Sequence, residues 1–212
     1  MTAETQETKR SGARPGVLTR RHPLEHRRDE LAALTDELAG TLRLELETPL
    51  AAADLRVDPA GGGPDAVADA VGGPLPTAAD SWTGIPGGQA MRLGPDEWLL
   101  THTTARPEDW EFHLDEAASA HGGMAVDVSA QRTTLRLQGP AARELLASGC
   151  AIDLRPASFG RGRCAQTLLG QGPVLLVAHG DDDLQLFVRT SVAGYVVDRL
   201  VDAAQELRPS LP

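Results

Sequence analysis

Within residues 126–165 the hydrophobic period changes from two to about 3.6, and no other stretch restricts the possible folds as tightly. Thr133, Leu135 and Leu137 alternate with Arg132, Thr134, Arg136 and Gln138, the pattern of a strand with one buried face. Gly139 and Pro140 end it, because proline has no amide hydrogen for a sheet while its fixed φ suits the first position of a helix. The spacing predicts a helix over 140–148 that buries Ala142, Leu145 and Leu146, with Gly149 as a left-handed cap.

The remaining elements are read outward from this unit. Leu24, Leu31, Leu34 and Leu38 mark one face of a helix over 23–38 that Gly40 ends. His22 and His26 are expected to be an exposed pair rather than metal ligands, since Pro23 starts the helix after His22 and no third ligand follows. Leu42, Leu44 and Leu46 form a strand broken by Pro49, and a second short strand surrounds Leu55 and Val57. Residues 60–88, dense in glycine, proline and alanine, are expected to be a long loop with at most brief order. Gly61, Gly62 and Gly63 are not expected to follow a strong strand or open a helix, so no phosphate role is assigned to them.

Strand character returns over 91–101 around the turn Gly94-Pro95-Asp96, with Trp98 expected in the core. Pro107, Glu108 and Asp109 open a helix where its dipole favours acidic groups, and His121 and Gly122 close it. Strands over 166–169, 174–178 and 184–188 follow, joined by short turns. Ser191 is expected to cap a last helix in which Val192, Val196, Leu200 and Ala204 repeat every four residues. This order implies an α+β fold, with helices packed on a mixed or antiparallel sheet. Residues 21–212 are expected to form a single domain.

Charge limits the partners. Of the 212 residues, 30 are acidic and 20 basic, a net charge of −10. Residues 1–28 hold seven arginines and lysines against three glutamates, so a basic arm precedes an acidic body. Residues 1–20 are expected to be disordered and solvated, and an acidic body repels a phosphate backbone, so nucleic-acid binding is not expected. Aromatic residues make up 3%, which leaves little to stack on a flavin or a base. Cys150 and Cys164 form no CxxC and are read as small buried apolar side chains. The absence of a leader or a membrane-length apolar run is read as a soluble, cytoplasmic protein.

The run DVSAQRTTLRLQGPAARELLASGCAIDLRP at 127–156, followed by GRCAQTLL at 162–169 and preceded by LGPDEWLL at 93–100, resembles the γ subunit of heterotetrameric sarcosine oxidase. The matching segments extend over about 22–207. More distantly, the same order of motifs is similar to the folate-binding domain of the glycine-cleavage T-protein. The resemblance implies two intertwined β-α-β-like halves and a place in a complex that oxidises sarcosine to glycine, forming hydrogen peroxide and either formaldehyde or 5,10-methylenetetrahydrofolate. It also implies that FAD, FMN, NAD, tetrahydrofolate and zinc belong to partner α, β and δ subunits, with no cofactor in this chain. One departure is informative: the strand GPVLLVAHG at 172–180 lacks the carboxylate that serves aminomethyl transfer in the T-protein family. A fold and its site are inherited separately.

No GxSxG, HExxH or Walker motif is present. The strongest polar candidates are Asp127, Ser129 and Arg132, with Arg132 able to clamp a carboxylate, as folate would require, and Asp127 as a base or orienting group. The favoured reading is that Asp127 and Ser129 satisfy backbone amides at a strand end while Arg132 pairs with a local acid. Arg155, Arg161 and Arg163 are assigned to a subunit contact, since arginine is favoured at interfaces. The leading expectation is thus an accessory, noncatalytic subunit. The alternatives are a free-standing folate-binding protein or aminomethyltransferase, and an accessory domain of another amine oxidase.

Overall fold

The structure is a computed structural model that describes residues 21–207, so the expected disordered arm lies outside the described residues. A 3-10 turn at Glu25–Arg27 leads into α1 (Arg28–Glu37), β1 (Arg43–Leu46), β2 (Ala51–Arg56), α2 (Gly63–Val71), β3 (Trp82–Ile85), β4 (Gly88–Arg92) and β5 (Glu97–His102). The chain continues through α3 (Pro107–Ser119), β6 (Met124–Asp127), β7 (Arg132–Gln138), α4 (Ala142–Ala147), β8 (Cys164–Leu169), β9 (Gly172–Gly180), β10 (Asp183–Arg189) and α5 (Ala193–Ala204).

The strands form two antiparallel five-stranded sheets, ordered β1-β7-β10-β9-β8 and β3-β4-β5-β2-β6. The second sheet is built from one continuous stretch of chain. The first needs both ends, because β1 pairs with β7 in the register Arg43↔Gln138 to Leu46↔Leu135.

Three apolar cores follow. On the outer face of the first sheet, Leu135, Leu137, Leu184, Leu186 and Val188 meet Leu31, Leu34, Leu145, Leu146, Val196 and Leu200 from α1, α4 and α5. On the outer face of the second, Ala53, Leu55 and Leu100 meet Val67, Val71, Trp110 and Leu114 from α2 and α3. Between the sheets, Ala52, Met91 and Leu99 pack against Leu175, Val177 and Phe187. Each sheet is therefore covered on both faces at its centre, which is why β9 and β10 show continuous burial rather than alternation. Each fully buried leucine contributes about 2 kcal/mol of apolar transfer free energy.

The central unit keeps its predicted form with two changes. Arg132, Thr134 and Arg136 face the second sheet rather than open solvent, and Thr134 is buried opposite Phe187. The helix is shorter than predicted, and the left-handed glycine is Gly139 at φ +115, not Gly149. A side chain at Gly139 would meet the Thr41 carbonyl oxygen at 2.5 Å, so the strand end and the β1 entry approach as only glycine permits.

The expected loop over 60–88 is the clearest correction. It contains α2 and β3. Pro64 in the first turn, Asp65 beside it, Val67 and Val71 on one buried face, and Gly72 as a left-handed cap are complete helix signals inside a glycine-rich stretch. Gly62 and Gly63 do open a helix. The reason for glycine is packing, since a Cβ at Gly63 would lie 2.2 Å from Val57 Cγ2. The strand read around Leu55 and Val57 is β2, an interior strand between β5 and β6. Ser191 sits in a 3-10 turn over Thr190–Val192, and α5 begins without a side-chain cap.

His22 is the second correction: it is buried, not exposed. Its Nδ1 accepts from the Leu24 amide at 3.1 Å, and its Nε2 meets the Thr134 carbonyl at 3.3 Å and the Thr133 hydroxyl. The imidazole thus ties the entry of α1 to β7. Burial lowers its pKa from 6.5. His26 is exposed.

Candidate functional site

The layer between the sheets is apolar in the middle and polar at both ends. At one end β10 supplies Gln185, whose Oε1 accepts from Gln89 Nε2 of β4 at 2.6 Å and meets His179 Nε2 at 3.1 Å. Gln185 Nε2 in turn donates to Glu47. Arg136 donates through Nη2 to Asp183 Oδ2 at 2.7 Å and stands 3.9 Å from Glu47. Trp82 closes this end, with its ring 4.4 Å from that of His179 and its Nε1 donating to the Ala178 carbonyl at 2.9 Å. Desolvation, chiefly, lowers the His179 pKa, with Arg136 adding to the effect. Sequence reasoning missed this chain. Its one visible signal is Gln185, a lone polar residue inside the run LQLFV.

The other end holds Asp127, Ser129 and Arg132. Asp127 Oδ1 accepts from the Ser129 amide at 2.9 Å, and the Ser129 hydroxyl accepts from the Ala52 amide at 2.8 Å. Both residues thus bind backbone at a strand end, as the favoured reading expected. The other half of that reading fails. Arg132 forms no ion pair among the described residues, and its Nε is buried without a hydrogen-bond partner. Asp54 and Glu97 attract it from a distance; Glu97 is engaged by Arg56 at 2.6 Å, whereas Asp54 Oδ1, 3.9 Å from Arg56, is buried without a hydrogen-bond partner. Burial, with Arg189 nearby, pulls the Arg132 ionisation below the ordinary guanidinium range. Beside it lies a cavity of about 220 Å³.

The three arginines assigned to a subunit contact do not converge. Arg155 folds onto Asp153, whose carboxyl it holds well below the usual carboxylate range, and Arg163 reaches the Ala79 carbonyl at 3.4 Å. Arg161 is exposed. The arginine that organises this region is Arg143, overlooked in the sequence. It donates to the carbonyls of Phe159 at 2.9 Å and Gly180 at 3.0 Å, and also to those of Asp181 and Leu154.

All four sheet edges are engaged. At β1, the Leu44 amide donates to the Thr35 hydroxyl at 3.1 Å, and that hydroxyl donates to the Leu44 carbonyl at 3.2 Å. At β6, the Ala125 and Asp127 amides donate to Asp115 at 3.0 Å and Glu111 at 3.1 Å, two carboxylates four apart on α3. The β3 and β8 edges approach one another, with Trp82 N donating to Gly162 O and Cys164 N to Asp80 O, each at 3.0 Å. Strand addition is therefore blocked at these positions. Exposed apolar side chains remain at Phe112, Met124 and Val126.

Other chemistry finds little support. Burial pushes the Cys164 thiol up to about 12, far from a reactive thiolate. Among the described residues no group of three His, Cys, Asp or Glu is placed to hold a metal, and no helix is long and apolar enough to cross a membrane. The start of α2 offers no phosphate cradle, because Val57 and His121 already fill the space at Gly62 and Gly63.

The family model for the sarcosine oxidase gamma subunit matches residues 55–206. Sarcosine oxidase subunit gamma of Corynebacterium sp. (strain P-1) is 35% identical over 190 residues, covering 88% of this chain and 91% of that protein. The subunit from Corynebacterium sp. (strain U-96) is 37% identical over 182 residues, covering 84% and 85%. Among solved structures, a chain of heterotetrameric sarcosine oxidase from Corynebacterium sp. U-96, in complex with pyrrole 2-carboxylate, superposes with a TM-score of 0.83 at 33% identity, covering 91% of this chain and 98% of that one. Aminomethyltransferase T of the glycine cleavage system from Bartonella henselae shares the fold, with a TM-score of 0.60 at 12% identity, covering 81% of this chain and 48% of that one. The chain belongs to the sarcosine oxidase gamma subunit family.

Proposed function

We propose that this chain is the accessory γ subunit of a heterotetrameric sarcosine oxidase and has no catalytic centre of its own. The observation that carries the reading is the match to nearly the whole length of a chain from such an assembly. The partners would be the α, β and δ subunits, which hold FAD, FMN, NAD, tetrahydrofolate and zinc and oxidise sarcosine to glycine. The geometry here supports that division of labour. Asp127 and Ser129 are spent on backbone amides, and the cavity at Arg132 is smaller than the roughly 300 Å³ at which drug-sized ligands begin to fit. The core shared between the two sheets supports reading residues 21–212 as one α+β domain.

With the strand edges engaged, docking would run through exposed side chains, and Arg155, Arg161 and Arg163 are the proposed contributors. Co-expression with and without this chain tests the reading. Omission is expected to lower the yield of assembled oxidase, and the purified chain is expected to show neither flavin absorbance nor sarcosine turnover. Stoichiometric flavin on this chain alone would overturn it. Calorimetry with tetrahydrofolate tests the aminomethyltransferase alternative, which requires saturable binding that Asp127→Ala or Arg132→Ala removes.

A further inference from the structure

We infer that the cavity beside Arg132 is a binding site for a small monocarboxylate with a short apolar body. The starting observation is energetic. A guanidinium stays charged in any protein, so a buried one needs a counter-charge or hydrogen-bond acceptors. Arg132 Nε is buried without a hydrogen-bond partner, one of two such side-chain atoms among the described residues, the other being Asp54 Oδ1. Among the described residues no carboxylate comes within 4 Å of Arg132: Glu97 is held by Arg56 at 2.6 Å, and Asp54, whose Oδ1 is likewise buried without a hydrogen-bond partner, attracts Arg132 only from a longer distance.

The surroundings define the ligand. Arg21 lines the same cavity, and Arg189 lies opposite Arg132 in the β7–β10 register, so positive charge gathers at this end of the inter-sheet layer. Pro23, Pro49, Leu50 and Phe187 give the wall an apolar part, beside the hydroxyl-bearing Ser129, Thr133 and Thr134. A hydrated inorganic anion would gain nothing from the apolar part. A carboxylate carrying a few carbons gains from both parts, because the guanidinium fork matches a carboxylate and the wall covers its tail. A cavity of about 220 Å³ has room for a short aliphatic or single-ring acid.

The site stands on this cavity alone and does not depend on which assembly the chain serves. Titration of the full chain with propionate and benzoate, read by backbone amide shifts, tests it directly. Saturable shifts are expected at Ala130, Thr133 and Thr134, with little response to propionamide or benzamide and weaker binding of inorganic phosphate. Arg132→Gln is expected to weaken benzoate at least about tenfold, the loss of a charge-assisted hydrogen bond. The amide comparison needs no variant, so the test holds even if Arg132→Gln folds poorly. In the co-purified assembly the same comparison is read by phenylglyoxal modification of Arg132, which benzoate should slow at least about threefold and benzamide should not. Equal responses to acid and amide, equal binding of phosphate, or shifts confined to other surfaces would each overturn the assignment.

Discussion

Gln89 Nε2 donates to Gln185 Oε1 at 2.6 Å, so a side chain of one sheet closes onto a side chain of the other inside the layer between them. Gln185 is the hub, because Glu47 and His179 meet it as well. Gln185→Leu strands three partners at once, and about 2–3 kcal/mol of unfolding free energy should be lost. Gln89→Leu removes one partner and should cost about 1 kcal/mol. The double variant should recover part of the sum, which a double-mutant cycle by urea unfolding will read. Strict additivity would show that the two amides do not act together.

Stability should fall in mild acid. His22 and His179 both have folded pKa values below 6.5, in each case mainly through burial. The unfolded chain therefore takes up protons first as pH falls. The stabilisation is complete above the unfolded value near 6.5 and is lost as pH drops through the folded values, with a slope of at most about 1.4 kcal/mol per pH unit for each histidine. Urea midpoints compared at pH 7.5 and 5.5 should show the loss, and His179→Gln should make it smaller. An unchanged slope in that variant would remove His179 from the account.

Two neighbouring glycines should behave in opposite ways. A Cβ at Gly88 in β4 would lie 1.8 Å from the carbonyl oxygen of Thr101, a backbone atom in the paired strand that cannot step aside, whereas at Gly84 in β3 nothing lies within 4 Å. Gly88→Ala should cost about 3 kcal/mol or prevent folding, and Gly84→Ala should change stability by less than about 0.5 kcal/mol. Thermal unfolding of the pair checks both.

Glu111 and Asp115 hold the outward amides of β6. Replacing both with alanine should cost about 2 kcal/mol and leave a free edge beside the exposed Met124 and Val126. Light scattering at rising protein concentration should then detect association that the parent chain lacks. A variant that stays monodisperse would mean that the α3 backbone itself shields the edge.

Where burial and local spacing agreed, the sequence was informative. The β7–α4 unit and the leucine face of α1 carry their periods locally, and the β9–β10 hairpin shows as two apolar runs around a short turn. Features set by distant partners were hidden. His22 looked exposed because Pro23 follows it, yet its partner Thr133 lies 111 residues away. Helix α2 was obscured by glycines that packing against Val57 requires, although Val67 and Val71 signalled its buried face. At the candidate site Arg132 was recognised, but its missing partner could be seen only once Glu97 was placed against Arg56 and Asp54 out of its reach.

The pairing of Arg43 with Gln138 also sets an order of events during synthesis. Strands β2 to β6 are contiguous in the chain, so the second sheet has all its members once residue 127 has been made. Leu44 and Leu46 must wait for their β7 partners Leu137 and Leu135, 93 and 89 residues downstream, with the apolar stripe of α1 uncovered in the meantime. A ribosome-bound half-chain would therefore present a folded C-terminal portion and a sticky N-terminal one, the kind of nascent species that chaperones engage.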